Sequence, residues 1–328
     1  MSDTSKVSDT FALPQFAPFT LFEFRKYRIE IYKRRPLPRL TFELSKQSHM
    51  NAKKTWFITG ASKGFGLSLV RQLLQKGENV AATSRNIEQL VQAVGEQSSN
   101  FLPLHVDLTN ESDVKSAIDK TIKTFNRIDV VINNAGYGIG GSIEELSDKE
   151  SRDAFDVNVF GALNVIRHAM PYLRMQASGH IFNISSIAGI TANTGWAIYA
   201  ATKFSLVGLS EVLAEDVRSF GIKVTVVAPG AFRTSFLSKE SLVLPQHPIG
   251  EYTEVRNSHE RYLQMNGHQS GDPEKAAEAI IEAAYLDNPP FYLLLGTDAY
   301  ERATRKLEFL EREFKLAEEL AKSMAYNG

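Results

Sequence analysis

The chain has 328 residues, 43% of them hydrophobic, and a formal net charge of −1. That length allows one large core or two smaller ones, and so small a charge gives no global field toward nucleic acid or anionic lipid. The absence of cysteine excludes disulfides, cysteine metal sites and a cysteine nucleophile, and the seven histidines include no pair at metal-ligand spacing, so no metal site is expected.

Residues 1–50 stand apart from the rest. The first ten are small and polar, and "FTLFEFRKYRIEIYKRRPLPRLTFELSKQ" then mixes aromatics with a basic cluster from Arg25 to Arg39. This stretch lacks the apolar core of a secretory signal. Glu23, Glu30 and Glu43 argue against an organelle transit peptide. The arm reads as a poorly ordered N-terminal extension, or as sequence upstream of a functional start at Met50. A basic amphipathic segment for a partner or a membrane surface is the alternative. No apolar run reaches the roughly 20 residues needed to cross a bilayer, and a soluble, cytoplasmic protein is expected.

From Thr55 onward short apolar runs alternate with helical ones. "TWFIT" predicts a strand and "GLSLVRQLLQKG" a helix ending at Gly77. The strand "NVAATS" precedes a helix from about Ile87 to Val94. The strand "FLPLHV" precedes the helix "ESDVKSAIDKTIKTF". "DVVIN" is a strand, and a long helix follows from about Asp148 to Ala177. "HIFNIS" is a strand, and a helix carrying Tyr199 continues to Phe220. "IKVTVVA" is a strand. "DPEKAAEAIIEAAYL" is a helix with Asp272 as N-cap and Pro273 at its first position. "FYLLLG" is the last strand, and a charged helix runs from Asp298 to about Met324.

Seven apolar strands alternating with helices imply a parallel sheet covered on both faces, a doubly wound α/β (Rossmann) fold. No Pro/Gly/Ser-rich linker divides it, so residues 51–328 are read as one domain. The segment at about 235–270 breaks the alternation and is too long for an ordinary loop. It is expected to be a substrate lid.

Between the first strand and the first helix stands "TGASKGFG", with Gly60, Gly64 and Gly66. In such a fold this turn lies at the carboxyl end of the sheet, at the switch point. Glycines let the backbone approach a pyrophosphate, whose charge the following helix N-terminus favours. The spacing is Gly-x-x-x-Gly-x-Gly rather than the commoner Gly-x-Gly-x-x-Gly. A second signal is "YAATK", which puts Tyr199 and Lys203 on one face of a helix. A phenol near pKa 10 exchanges protons poorly at neutral pH, and an adjacent ammonium is expected to stabilise its ionised form.

The cofactor is read from the end of the second strand. A site for NAD usually places an acid there for the ribose hydroxyls. Here Ser84 and Arg85 occupy that turn, and no carboxylate occurs from Val80 to Ile87. An acid would repel a 2′-phosphate, whereas Ser can bond it and Arg can pair with it. Lys63 in the glycine loop adds a second positive charge. NADP(H) is therefore the expected cofactor, preferred at least tenfold, about 1.4 kcal/mol.

With these motifs in place the chain resembles the short-chain dehydrogenase/reductase family from Met50 to about Leu295. "TGASKGFG" resembles the family's cofactor loop. "NNAG" closes the fourth strand, "NISS" puts Ser186 thirteen residues before Tyr199, and "PGAFRT" follows the sixth strand. The resemblance implies an oxidoreductase acting on carbonyl or alcohol groups. Tyr199 would be its general acid and base, Ser186 would bond the substrate oxygen, and Lys203 would bond the nicotinamide ribose. Asn158 would hold a water in a proton relay. The alternative for Asn158 is a polar group bonding backbone inside a helix. Cofactor contacts are implied at Gly60, Ser62, Lys63, Gly64, Phe65, Gly66, Ser84, Arg85, Leu108, Ala135, Pro229, Gly230 and Phe232. Asp107 would meet adenine, or else cap a helix near Glu111. Asn134 and Gly136 would face the adenine ribose, and Thr234 would bond the carboxamide. Tyr137, Ile139, Ile187, Trp196, Phe232 and part of the lid are expected to line a mostly apolar substrate pocket. Helices near 151–177 and 196–220 resemble those through which family members form dimers and tetramers. A non-catalytic NADP-sensing protein on the same fold is the competing reading. Epimerisation or dehydration is a third, though this chain has little room for the larger substrate domain those enzymes carry.

Overall fold

The computed structural model describes residues 53–95, 98–238 and 241–326. The reading of residues 1–50 as an extension lies outside them. The main sheet has seven strands: β1 (Thr55–Ile58), β2 (Asn79–Ser84), β3 (Phe101–His105), β4 (Val130–Asn133), β5 (Gly179–Ile184), β6 (Ile222–Pro229) and β7 (Tyr292–Leu295). Their order is β3-β2-β1-β4-β5-β6-β7, and every neighbouring pair is parallel. The chain winds outward from β1 to β3, then returns to set β4 on the other side of β1. The crevice above the β1/β4 boundary is where such sheets bind ligands.

The helices are α1 (Gly64–Gln75), α2 (Ile87–Val94), α3 (Glu111–Phe125), α4 (Asp148–Phe155), α5 (Gly161–Gln176), α6 (Ala197–Val217), α7 (Thr253–Gln264), α8 (Pro273–Ala283), α9 (Thr297–Leu316) and α10 (Glu318–Lys322). Side chains leave a strand alternately to its two faces, and β1 shows the result. Trp56 and Ile58 join Leu69 and Leu73 of α1, Leu90 of α2 and Ile280 of α8. Phe57 joins Ile118 of α3, Val165 of α5 and Val217 of α6. Each of these β1 side chains is fully buried, a stabilisation of about 1.5–3 kcal/mol apiece. Pro103 interrupts β3, which only an edge strand tolerates.

Several expectations are corrected. The helix expected from Asp148 to Ala177 contains a π turn, Asp156–Phe160, between α4 and α5. The wider turn carries Asn158, whose amide bonds the backbone of Tyr137, outside the helix. The terminal helix breaks at Ala317. Gly138–Ile139 and Leu242–Val243 form a separate two-stranded parallel pair, too short for periodicity to reveal. Against the expectation of no spanning-length run, Ala197–Phe220 is long and apolar enough by length and composition alone. Its apolar side is nevertheless core: Leu206, Val207 and Val217 are buried, as are the polar Thr202, Lys203 and Ser210.

Candidate active site

The glycine loop is shaped by close approach. Gly60 has φ +65, and a Cβ there would lie 2.7 Å from the Ala135 Cα. The hydroxyl of Thr59 accepts the N–H groups of Asn134 and Ala135, both at 3.0 Å. The Asn134 amide donates to the carbonyls of Thr59 at 2.9 Å and Gly60 at 3.0 Å. These bonds lock the ends of β1 and β4 together. The Asn134 amide thereby holds the loop, and Asn134 also borders the cavity. Gly66, expected at the cofactor, is not part of the cavity lining. A Cβ on it would lie 2.5 Å from the Gly60 carbonyl oxygen and 2.7 Å from the Asn134 Nδ2, so its role is packing.

The N-terminus of α1 has no side-chain cap; its N-cap residue, Lys63, is extended at φ −158. Gly64 and Phe65, which open this helix, border the cavity. Uncapped first-turn N–H groups beside a turn that leaves no room for a Cβ fit a pyrophosphate.

One cavity of about 550 Å³ runs along the carboxyl ends of the strands. Gly60, Ser62, Lys63, Ser84, Arg85, Asp107, Leu108, Asn134, Ala135 and Gly136 border it. So do Ser186, Tyr199, Lys203, Pro229, Gly230, Phe232 and Thr234. The Ser84 hydroxyl accepts the Asn86 N–H at 3.1 Å, next to the exposed Arg85. The Asp107 carboxylate accepts the hydroxyl of Thr109 at 2.8 Å and its N–H at 3.0 Å. Those bonds, with the Arg85 charge, hold it below the usual carboxylate range. Asp107 is not the helix cap: Asn110 caps α3.

Tyr199 and Lys203 project from the first turns of α6, and Ser186 stands just after β5. Tyr199 is buried, and burial pushes its phenol up, while the neighbouring Ser186 hydroxyl acts the other way. The Ser186 oxygen also accepts the Ala188 N–H at 3.1 Å. Lys203 is 5% exposed. Its Nζ donates to the Ile184 carbonyl at 3.0 Å and lies 5.8 Å from the centre of the Tyr199 ring. Burial lowers this ammonium to about 8. The ammonium was expected to lower the phenol, but the net shift of the phenol is upward, with burial its largest cause. Burial raises the phenol, and a protonated phenol beside a cation is the resulting state near neutral pH.

Asn158 does not border the cavity. Its Oδ1 accepts the Tyr137 N–H at 3.0 Å. Its Nδ2 donates to the Tyr137 carbonyl at 3.0 Å and to Thr202 Oγ1 at 3.2 Å. Thr202 in turn bonds the Tyr199 carbonyl at 2.7 Å. The backbone-bonding alternative describes this geometry, with the bonds running between elements.

Tyr137, Ile187, Trp196 and Phe232 border the cavity as expected, but Ile139 does not. It is buried in an apolar cluster behind the wall. From the 235–270 segment, Phe236, Tyr262 and Met265 reach the cavity. Trp196 packs edge-on against Tyr199, Tyr262 and His259. The segment is fastened at Glu145, whose carboxylate accepts the N–H groups of Ser142 and Ile249, both at 2.8 Å, and pairs with Arg256 of α7. Burial alone would raise this acid, but those bonds outweigh it and hold it low. The sequence reading missed Asn193, Asp298 and Arg302, which also border the cavity. Only the one-turn spacing of Asp298 and Arg302 was visible, and it does not say which way α9 turns them.

The sequence profile of the short chain dehydrogenase family matches residues 54–242. A 3-ketodihydrosphingosine reductase of Bacteroides thetaiotaomicron is 34% identical over 239 residues, covering 73% of this chain and 86% of that protein. A short-chain dehydrogenase from Streptomyces avermitilis superposes with a TM-score of 0.78 at 34% identity, covering 84% of this chain and 100% of its own. ElxO, solved with NADP bound, superposes with a TM-score of 0.61 at 26% identity, covering 74% of this chain and 97% of its own.

Proposed function

The chain belongs to the short-chain dehydrogenase family, and from that premise we propose that it is an NADP(H)-dependent enzyme with Tyr199 as general acid and base. It is an oxidoreductase acting on CH–OH groups; the proposal adds the cofactor, the proton path and a hydrophobic carbonyl or alcohol substrate. The observation that carries it is the convergence of Ser186, Tyr199 and Lys203 on one cavity with the glycine loop.

The nicotinamide supplies hydride when bound. Every other part belongs to the chain. Gly60, Gly64 and the α1 N-terminus bind the pyrophosphate. Lys63, Ser84 and Arg85 bind the 2′-phosphate, since two cations and a hydroxyl stand where an acid would repel it. Lys203 keeps N–H donors beyond its bond to Ile184, and these serve the ribose hydroxyls. Ser186 donates to the substrate oxygen, where negative charge develops on reduction. The Tyr199 phenol, kept protonated by burial, gives that oxygen its proton. Asn158 and Thr202 position the turn that bears Tyr199. Apolar walls at Ile187, Trp196, Phe236 and Met265 favour a hydrophobic substrate.

The test is NADPH oxidation against a panel of steroids, retinoids, quinones, long-chain and short ketones. The expected result is turnover with hydrophobic carbonyls. Tight NADPH binding with no turnover across the panel would favour the NADP-sensing reading.

The catalytic domain is taken as residues 51–328, with 235–270 as its lid and 1–50 as an extension. It works in the cytoplasm as a homodimer or homotetramer. Exposed Phe160, Met175, Phe204 and Val212 on the paired helical runs support that assembly. A monomer mass by light scattering at micromolar concentration would overturn it.

A further inference from the structure

Arg302 has no part in the chemistry above, yet it borders the cavity beside Asn193 and Tyr262. Its Nη2 donates to Thr191 Oγ1 at 2.6 Å and to Asn193 Oδ1 at 3.1 Å. Both acceptors are neutral. The Tyr262 phenol is a third neighbour: burial pushes it up, and the Arg302 charge and hydrogen bond act against that. Tyr262 also accepts the Asn193 amide at 2.5 Å. Among the described residues no carboxylate forms an ion pair with Arg302, although Arg256 and Arg305 each have one.

Two acids on its own helix stand close in sequence: Glu301 pairs with Arg305, and Asp298, one turn earlier, bonds backbone. Its Oδ2 accepts the Ala231 N–H at 2.9 Å. Its Oδ1 abuts the backbone of Gly230 and Gly296, where a Cβ would lie 2.1 and 2.7 Å away. Arg302 is thus a half-buried cation held by neutral partners, with no ion pair among the described residues, although the Asp298 carboxylate borders the same cavity. A guanidinium holds its donors in a planar fork, and the bonds to neutral partners leave some of them unused. Taking such a charge out of water is costly unless an anion or further acceptors meet it.

A series of aromatic contacts connects it with the phenol. The Trp196 ring lies 6.1 Å from the Tyr199 ring and 4.8 Å from that of Tyr262. Arg302 neighbours Tyr262, the last ring of that series. Two aromatic side chains thus link the phenol to Arg302, and an apolar part of a ligand can pack against them.

We propose that Arg302 binds a carboxylate of the substrate, and that the substrates are apolar keto acids or hydroxy acids with the acid remote from the reacting carbon. This rests on Tyr199 marking the reaction centre. A carboxylate accepts the charge-assisted N–H bonds that Nε and Nη1 can still give, and these are stronger than bonds to a neutral acceptor.

The experiment compares matched long-chain ketones: the free keto acid, its methyl ester and the parent ketone with no acid. Each is measured with NADPH on the full chain, for the native protein and for Arg302→Gln and Arg302→Lys. Native protein is expected to prefer the acid over the ester by about tenfold or more in kcat/KM, mostly through KM. Arg302→Gln keeps a donor for Thr191 and Asn193 but removes the charge. It should abolish that preference, leave kcat/KM for the ester and the ketone nearly unchanged, and leave NADPH affinity unchanged. Arg302→Lys should restore part of it. Equal use of acid and ester by the native protein would overturn the proposal. So would an equal loss on all three substrates in Arg302→Gln, which is what a purely structural clasp gives. If no ketone turns over, the hydride-transfer reading fails first. Calorimetry of keto acid against ester on the NADPH-loaded protein then decides the proposal, which requires tighter binding of the acid and loss of that margin in Arg302→Gln.

Discussion

The two halves of the cavity are built by different means. The cofactor half is backbone: turns after β1 and β4, cross-linked through Thr59 and Asn134, with glycines where a side chain would collide. The substrate half is side chain: Trp196 on α6, Tyr262 on α7 and Arg302 on α9 meet across long sequence distances. A backbone site must repeat a local sequence pattern, because few residues permit it. A side-chain site can be assembled from almost any residues that the fold brings together.

If the halves work separately, substitutions should separate binding from turnover. The largest effect is expected for Tyr199→Phe. Turnover should fall about 10³-fold, within the range of lost general acid catalysis, while NADPH affinity stays within about threefold. Stopped-flow NADPH oxidation beside a binding titration reads both. Near-native turnover would remove Tyr199 from the proton path.

Glu145→Gln tests the fastening of the substrate half. It removes the charge facing Arg256 and weakens the acceptor for Ile249. A loss of roughly 2–3 kcal/mol in stability is expected from a disrupted, mostly buried pair, with kcat/KM lowered about tenfold and NADPH affinity kept. Unchanged melting and kinetics would mean that the 235–270 segment is held elsewhere.

Arg85→Ala probes the other half. NADPH should bind about tenfold more weakly, the effect of one lost charge-assisted contact, and NADH should be little changed. Parallel losses for both cofactors would show that Arg85 does not read the 2′-phosphate.

The smallest effect is a pH dependence at Lys203, which the two halves share. Its folded value of about 8 lies below the ordinary 10.5. The ammonium therefore persists below about pH 8 and is lost above it, so kcat/KM should decline from there. The unfolded chain keeps that proton up to about 10.5, so from this group the stability of the cofactor-free protein should rise between about pH 8 and 10.5. A pH–rate profile beside melting curves tests the opposed trends; a rate that rises with pH across that interval would contradict the role.

The same division explains what the sequence made legible. Strands such as "TWFIT" are short apolar runs between breakers, and all seven are present in the sheet. The glycine loop and the Ser186–Tyr199–Lys203 set were readable because their spacing is local or family-wide. Asn158 was ambiguous because a π turn leaves no mark on helical periodicity, and its partners, Tyr137 and Thr202, lie on other elements. Ile139 was expected in the pocket by family resemblance, but it pairs with Val243 and lies in a buried cluster. Arg302 falls in the charged helix expected from Asp298 to about Met324, where sequence singles out no one charge. Only the seating of α9 against Gly230 and Ala231, through Asp298, brings it to the cavity.

In the function proposed above, NADP selectivity rests on Lys63, Ser84 and Arg85, and direct titration of the purified protein with NADPH and with NADH under one set of conditions tests it. NADPH should bind at least tenfold more tightly, about 1.4 kcal/mol. Equal affinities, or tighter binding of NADH, would contradict it.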